Sequence, residues 1–300
     1  MSLLVVGSVA LDCLETPVAR KEDVLGGSAV HFSYAASFFG PVQFVGVVGE
    51  DWPEEHTKML ESQGIDMSGL EIQKGGKTFR WSGKYLENMN DRVTLDTQLN
   101  VLADFQPKLP DLFQRAQFVF LANGSTKTQL QVLEQSKGAD LVVADTMNLW
   151  IEIERDSLLE LLKKIDGLLL NDSEAKMLTG EFNVLTAARK ILEMGPKFVI
   201  VKKGEHGAIF VSQYDTYVIP AFPTENVVDP TGAGDSFAGG MMGYLASQGK
   251  MDAETIKTAL AYGTVTASFQ IEGFGADRLL EITREDIDRR LEQLRHIAAF

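Results

Sequence analysis

Three hundred residues, 45% of them hydrophobic, suffice to bury one large α/β core or two smaller ones, and the composition carries no sign of disorder. A formal charge of −14 excludes a broad nucleic-acid interface, so an anionic nucleotide must be held locally by backbone amides, a few lysines and a bound cation, Mg2+. Cys13 is the single cysteine, which excludes an intrachain disulfide and makes the cytoplasm the default location.

The first predicted element is a buried strand at 3–7, an apolar run too short to span a membrane and without the basic flank of a signal peptide. Asp12 follows it. Its carboxylate can accept hydrogen bonds from two adjacent ligand hydroxyls, or close a turn on its own backbone. Gly26-Gly27-Ser28 then leads into a helix over 28–39, with Ser28 the expected cap and the glycine pair letting a ligand approach the backbone. A strand at 44–48 and a helix at 53–63 come next. From about 74 to 101 the rhythm changes to polar strands, 77–81 and 84–86 set against 92–95 around the turn-forming Asn88-Met89-Asn90-Asp91. Phe79, Trp81 and Tyr85 share one strand parity, so they form an aromatic face that can stack on a flat base or pack lid against core. With roughly 11–25, this segment is expected to form a β lid over the mouth of the large sheet.

Strands at 118–122, 141–144, 167–170 and 198–201 resume the alternation. Helices are expected at 128–137, 155–164, 184–194, 235–247, 252–270 and 284–296. Such βαβ repetition implies an α/β fold around a mostly parallel sheet, with ligands beyond the carboxyl ends of the strands. Asn171-Asp172-Ser173-Glu174 follows one of those ends. Glu174 can orient water on magnesium and Asn171 can reach a phosphate or ribose, or the two can simply cap a helix. Val201-Lys202-Lys203-Gly204-Glu205-His206-Gly207 leaves another strand for a tight turn. Alternate strand residues face opposite ways, so only one of the two lysines should reach a phosphate.

The densest signal is Asp229-Pro230-Thr231-Gly232-Ala233-Gly234-Asp235-Ser236-Phe237, a glycine turn entering an apolar helix after a strand expected to run up to 226–228. Amides of Gly232, Ala233 and Gly234 at a helix start can hold phosphate, and Asp235 can take a proton from an attacking hydroxyl. Gly239, Gly240 and Gly243 should cost the helix about 3 kcal/mol relative to alanine, so another backbone or a ligand must come close. An ordinary carboxylate titrates near about 4, so Asp235 is expected to be ionised at neutral pH without special tuning. Two motifs fail: Glu71 occupies the first glycine position of a P-loop ending at Gly76-Lys77-Thr78, and Phe237 the third glycine of a dinucleotide fingerprint. No His and Cys cluster has zinc spacing.

Asp-x-Thr-Gly-Ala-Gly-Asp-x-Phe followed by small residues resembles the signature of the ribokinase-like, phosphofructokinase-B type, family of carbohydrate and nucleoside kinases. Weaker marks extend the likeness from about Gly7 to Gly275. The resemblance implies a three-layer α/β/α fold with a mostly parallel central sheet, one domain over 1–300, and a small β-sheet lid inserted at 11–25 and 74–101. It further implies that Asp235 is the base beside Gly232, Ala233 and Gly234, and that Asp12, Gly26, Gly27, Ser28, His31, Phe79 and Trp81 line the substrate site. Family members usually carry asparagine where this chain has His31, so the acceptor's identity is not carried over. Nucleotide binding would fall to Asn171, Lys202, Lys203, Gly204, Glu205, Gly207, Gly232 and Gly234, with a charge at Lys202 where typical members show a threonine nearby. Glu174 would serve Mg2+ through water, and Asp229 with Thr231 a monovalent cation, K+.

The resulting expectation is an ATP-dependent kinase acting on an alcohol group of a small sugar-like substrate, with a purine-nucleoside kinase as the rival. A non-catalytic nucleotide- or sugar-binding regulator is the alternative from another class, and a vitamin-type kinase would lack the lid. Neither a membrane nor a nucleic acid is an expected partner, whereas the exposed lid sheet could pair with its copy in a homodimer.

Overall fold

Short apolar strands buried on both faces can be satisfied only by helices above and below, and that requirement organises the computed structural model, which describes residues 1–299. In chain order come β1 (Leu3–Val6), β2 (Ala10–Glu15), β3 (Arg20–Gly26), α1 (Ser28–Ser37), β4 (Val42–Gly49), α2 (Glu54–Ser62), β5 (Ile65–Gln73), β6 (Arg80–Tyr85) and β7 (Arg92–Gln98). There follow β8 (Phe118–Leu121), α3 (Thr126–Gln135), β9 (Leu141–Asp145), α4 (Asn148–Ile153), α5 (Arg155–Leu162), β10 (Gly167–Asn171), α6 (Asp172–Thr179) and α7 (Val184–Leu192). The chain ends through β11 (Phe198–Lys202), β12 (Ala208–Ser212), β13 (Thr216–Ile219), α8 (Ala233–Gln248), α9 (Ala253–Gln270), α10 (Asp277–Leu280) and α11 (Arg284–Ala298).

The large sheet runs β13-β12-β11-β10-β9-β8-β1-β4-β5, parallel from β11 to β5 and antiparallel at the β11-β12-β13 end. Its side chains alternate between two cores. Leu3, Val5, Phe44 and Phe120 face α1, α8, α9 and α11, while Leu4, Val6, Val45 and Val119 face α3, α5 and α7. Phe32 of α1 stacks on Phe120 with ring centroids 4.4 Å apart. A second, small sheet, β3-β2-β6-β7, is built from strands within or next to the two segments expected to form a lid. Among the described residues no helix is long and apolar enough to cross a membrane.

Three elements differ from expectation. β5 and β13 are edge strands whose polar and exposed residues hide the apolar run that marks a buried strand. Residues 226–228 are not a strand; the Val228 and Asp229 amides instead donate to the Ile271 carbonyl at 2.8 and 3.2 Å, so the approach to the glycine turn hangs on the end of α9. The glycines of α8 meet other helices rather than a ligand. A Cβ on Gly239 would overlap the Phe32 carbonyl, one on Gly240 the Thr266 side chain, and one on Gly243 would come within 2.9 Å of the Ala36 backbone.

Candidate active site

The glycine turn needs a left-handed residue, and Gly232 supplies it at φ 75° as the N-cap of α8. A Cβ there would fall inside the His31 ring. The Ala233 amide already donates to the Pro230 carbonyl at 3.2 Å, so it is not part of the anion hole expected of it. Among the described residues the amides of Gly232, Gly234 and Asp235 have no acceptor, and these three remain for a phosphate. Asp229 braces the turn: one oxygen accepts from the Thr231 amide at 2.9 Å and the other from the Gly275 amide at 3.1 Å. Buried Gln270, which sequence reading missed, donates to the carbonyls of Thr231 and Gly275 and accepts from Ser236 Oγ. A lone amide side chain at the end of a long helix was its only signal.

Beneath the turn lies a buried charge cluster. Lys202, at the carboxyl end of β11, pairs with Asp145 Oδ2 at 2.9 Å, and a Cβ on Gly234 would lie 2.9 Å from its Nζ. Lys203 makes no ion pair among the described residues, since the next residue on the chain faces away. Asp145 was also missed: it ends β9 as a bare aspartate with no motif around it, and its Oδ1 accepts from the Thr146 amide. Burial is the main cause lifting Asp235 to about 7; Asp145 and Glu174 add to it, while Lys202 and Arg92 oppose it. The expected untuned aspartate is therefore corrected, because desolvation of a helix-start carboxylate outweighs its cationic neighbours. Glu174 also rises to about 7, first through burial. Asn171 and Glu174 form a reciprocal capping box at the start of α6, Glu174 N to Asn171 Oδ1 at 2.8 Å and Asn171 N to Glu174 Oε2 at 2.6 Å. Glu174 keeps its second oxygen for other work. Among the described residues no three His, Cys, Asp or Glu side chains converge tightly enough to hold a metal ion.

Across from this cluster two buried side chains wait for partners. Asp12 Oδ1 and both ring nitrogens of His31 have no hydrogen bond. Asp12 is pushed up to about 8 by burial, then by the charge of Asp229, against the Trp81 amide, with Asp235 adding to the rise. Burial lowers His31 to about 4, and nearby Gln270 opposes the fall without closing a hydrogen bond to either nitrogen. A neutral His31 offers one donor and one acceptor. Gly26 exists to admit Asp12, whose carboxylate occupies the place of a Cβ there. Ser28 is not the cap; Gly27 is, at φ 100°, and Ser28 spends its hydroxyl on Asn123 O at 2.9 Å and on Ser8. Its contact with a substrate is thus pre-empted by protein partners.

The small sheet meets the site at the glycine turn and at the loop after β11. Trp81 sits half-exposed on the inner face with its ring against Gly83, and Phe79 is likewise partly exposed where its carbonyl accepts from the Leu11 amide. Buried Tyr85 shares a 3.2 Å hydrogen bond with Thr231 Oγ1 of the glycine turn. Asn90 donates to Glu205 at 3.0 Å, which ties the lid turn to the loop of Gly204, Glu205 and Gly207. Gly204 and Gly207 flank that loop with positive φ, and Lys202, at the end of the strand before it, reaches toward Gly234.

Comparison with known proteins matches this arrangement to one family. The pfkB family carbohydrate kinase description matches residues 2–283. A cytidine kinase of Thermococcus kodakarensis is 31% identical over 267 residues, covering 87% of this chain and 94% of the relative. Among solved structures, the nucleoside kinase of Methanocaldococcus jannaschii superposes with a TM-score of 0.79 at 21% identity, over 97% of this chain and 98% of its own. A ribokinase II of E. coli, in complex with ATP and Mg2+, gives the same TM-score at 19% identity over 97% and 99%.

Proposed function

The chain belongs to the pfkB family of carbohydrate kinases, phosphotransferases with an alcohol acceptor, and on that premise we propose that it uses ATP to phosphorylate a ribose hydroxymethyl group, preferably that of a nucleoside. The carrying observation is the meeting of unpaired amides at Gly232, Gly234 and Asp235 with the Lys202 ammonium on one side and the unpartnered Asp12 and His31 on the other. Nucleoside preference is supported by the cytidine-kinase relative and by Trp81, whose face is available for stacking on a base. A bare sugar is the second reading, favoured by Asp12, whose unpartnered Oδ1 can hydrogen-bond a sugar hydroxyl.

Asp12 and His31 hold the acceptor hydroxyls, Asp235 accepts the proton of the attacking hydroxyl at its carboxylate, and the new O–P bond forms as the donor's terminal O–P bond breaks. Lys202 and the turn amides stabilise charge on the transferring group. Asn171 and the Gly204–Glu205–Gly207 loop flank the nucleotide, and lid closure excludes water that would compete with the acceptor. Glu174 would hold Mg2+ through water, and the bound ion would supply charge neutralisation to the phosphates. A K+ role for Asp229 and Thr231 has weaker support, since both Asp229 oxygens already accept backbone donors; equal rates in K+ and Na+ buffers would remove it. A homodimer through the lid and a cytoplasmic location complete the reading, the first supported by the exposed edge strand β7 and checked by light scattering. ATP consumption with cytidine, adenosine, inosine, ribose and fructose tests the whole. Turnover of a nucleoside with ribose inert is expected; preference for free sugars moves the protein to the second reading, and nucleotide binding without any turnover revives the non-catalytic one.

A further inference from the structure

The oxygens that a monovalent cation would need around Asp229 and Thr231 are already engaged by the protein. K+ gives up its hydration shell only where several carbonyl or carboxylate oxygens turn lone pairs toward it. Both Asp229 oxygens accept backbone amides, from Thr231 at 2.9 Å and from Gly275 at 3.1 Å. The Ile271 carbonyl accepts the Val228 and Asp229 amides, and Thr231 Oγ1 is shared with Tyr85. The carbonyls of Thr231 and Gly275 remain, and they meet on one atom. Gln270 Nε2 donates to Thr231 O at 3.0 Å and to Gly275 O as well, so the place between them is taken. Ser236 Oγ donates to Gln270 Oε1 at 3.2 Å, which fixes the amide with its NH2 end on the two carbonyls. Gln270 and Asp229 are both wholly buried.

An amide NH2 presents two positive ends from one point, as a cation does to convergent carbonyls, and carries no net charge to desolvate. Asp229 thus holds the N–H groups of Thr231 and Gly275 while Gln270 holds their C=O groups. The consequence reaches the anion hole through one planar unit. Thr231 C=O and Gly232 N–H belong to the same peptide, so whatever fixes that carbonyl also aims that amide. The Gly232 amide is one of the three left free for a phosphate.

We propose that Gln270 is a positioning residue standing in for a monovalent cation: its amide locks the Thr231–Gly232 peptide, aims the Gly232 amide at the phosphate, and lets the wild type work without K+. The inference rests on the kinase reading above. Wild type, Gln270→Ala and Gln270→Met are compared in KCl, NaCl and choline chloride at equal ionic strength, by calorimetric binding of the unhydrolysable ATP analogue AMP-PNP in Mg2+, by kcat and by thermal unfolding. Wild type should give the same affinity and kcat in all three salts within about twofold. Gln270→Ala, which vacates the space between the carbonyls, should bind the analogue about tenfold more weakly in choline, with K+ restoring most of the loss and raising the midpoint. Gln270→Met fills that space without a donor and should show the same loss in every salt. Activation of wild type by K+ well beyond twofold overturns the proposal, as does a Gln270→Met protein that binds like wild type or a Gln270→Ala loss that K+ leaves unchanged. Wild type that neither binds the analogue nor turns over any acceptor overturns the kinase reading and the aim toward phosphate. The K+ response of the Gln270→Ala midpoint needs no nucleotide, and even then decides whether Gln270 holds the cation's place.

Discussion

Asp235 shows how one side chain is set by opposing neighbours. Desolvation and the two carboxylates raise it, Lys202 and Arg92 lower it, and the result lies at about 7. A base must be ionised to act, so kcat/KM for the acceptor should rise with pH through about 7 and then level off. A flat profile between pH 5 and 9 would remove Asp235 from that role. Asp235→Asn should lower kcat by about 10²–10⁴-fold with the unfolding midpoint intact. Lys202 is the contrasting case, since its partner Asp145 is almost wholly buried. Lys202→Met should cost about 3–5 kcal/mol by leaving that carboxylate unpaired, read as a lower urea midpoint, and should weaken ATP binding. Simultaneous replacement of Asp145 by Asn should return much of the stability but none of the affinity.

Among the elements, α8 carries the sharpest conflict between local propensity and packing. Alanine is favoured over glycine in a helix by about 1 kcal/mol, yet a Cβ on Gly239 would run into the Phe32 carbonyl of α1. A backbone oxygen cannot rotate aside, and overpacking costs about 1–3 kcal/mol. Gly239→Ala should therefore lower the unfolding midpoint, and a higher midpoint would show that α1 yields. The glycine run was readable as a demand for close approach; that α1 makes most of it was not, because α1 lies far back in the sequence and only α9 follows next in the chain. The lid is similar. Its polar strands were legible from turn residues and alternation, but β5, a neighbour in sequence, belongs to the large sheet through its pairing with β4.

For the whole molecule, carboxyls raised by burial make stability depend on pH, Asp229 among them. Asp12 lies at about 8, Glu174 and Asp235 at about 7, against about 4 in the unfolded chain. The folded protein thus binds more protons than the unfolded one across that interval, so stability falls as pH rises from about 4 to about 8 and levels above it. The ligand-free midpoint should decline over this window. Asp12→Asn should flatten the decline, and an unchanged slope would mean that Asp12 is not held protonated.

Local chemistry was enough for the sequence to determine the family, the parallel α/β class, the lid and the glycine turn, since strand periodicity, turn residues and helix-start carboxylates act over a few positions. The tertiary structure alone decided which groups converge. Lys202 and Asp145 meet across 57 positions, and Tyr85 and Thr231 across 146. It also decided which amides stay free, which lysine faces the turn, and where Asp12, His31 and Asp235 titrate. Those properties depend on burial and on charges brought together by folding, and neither exists along the chain before it folds.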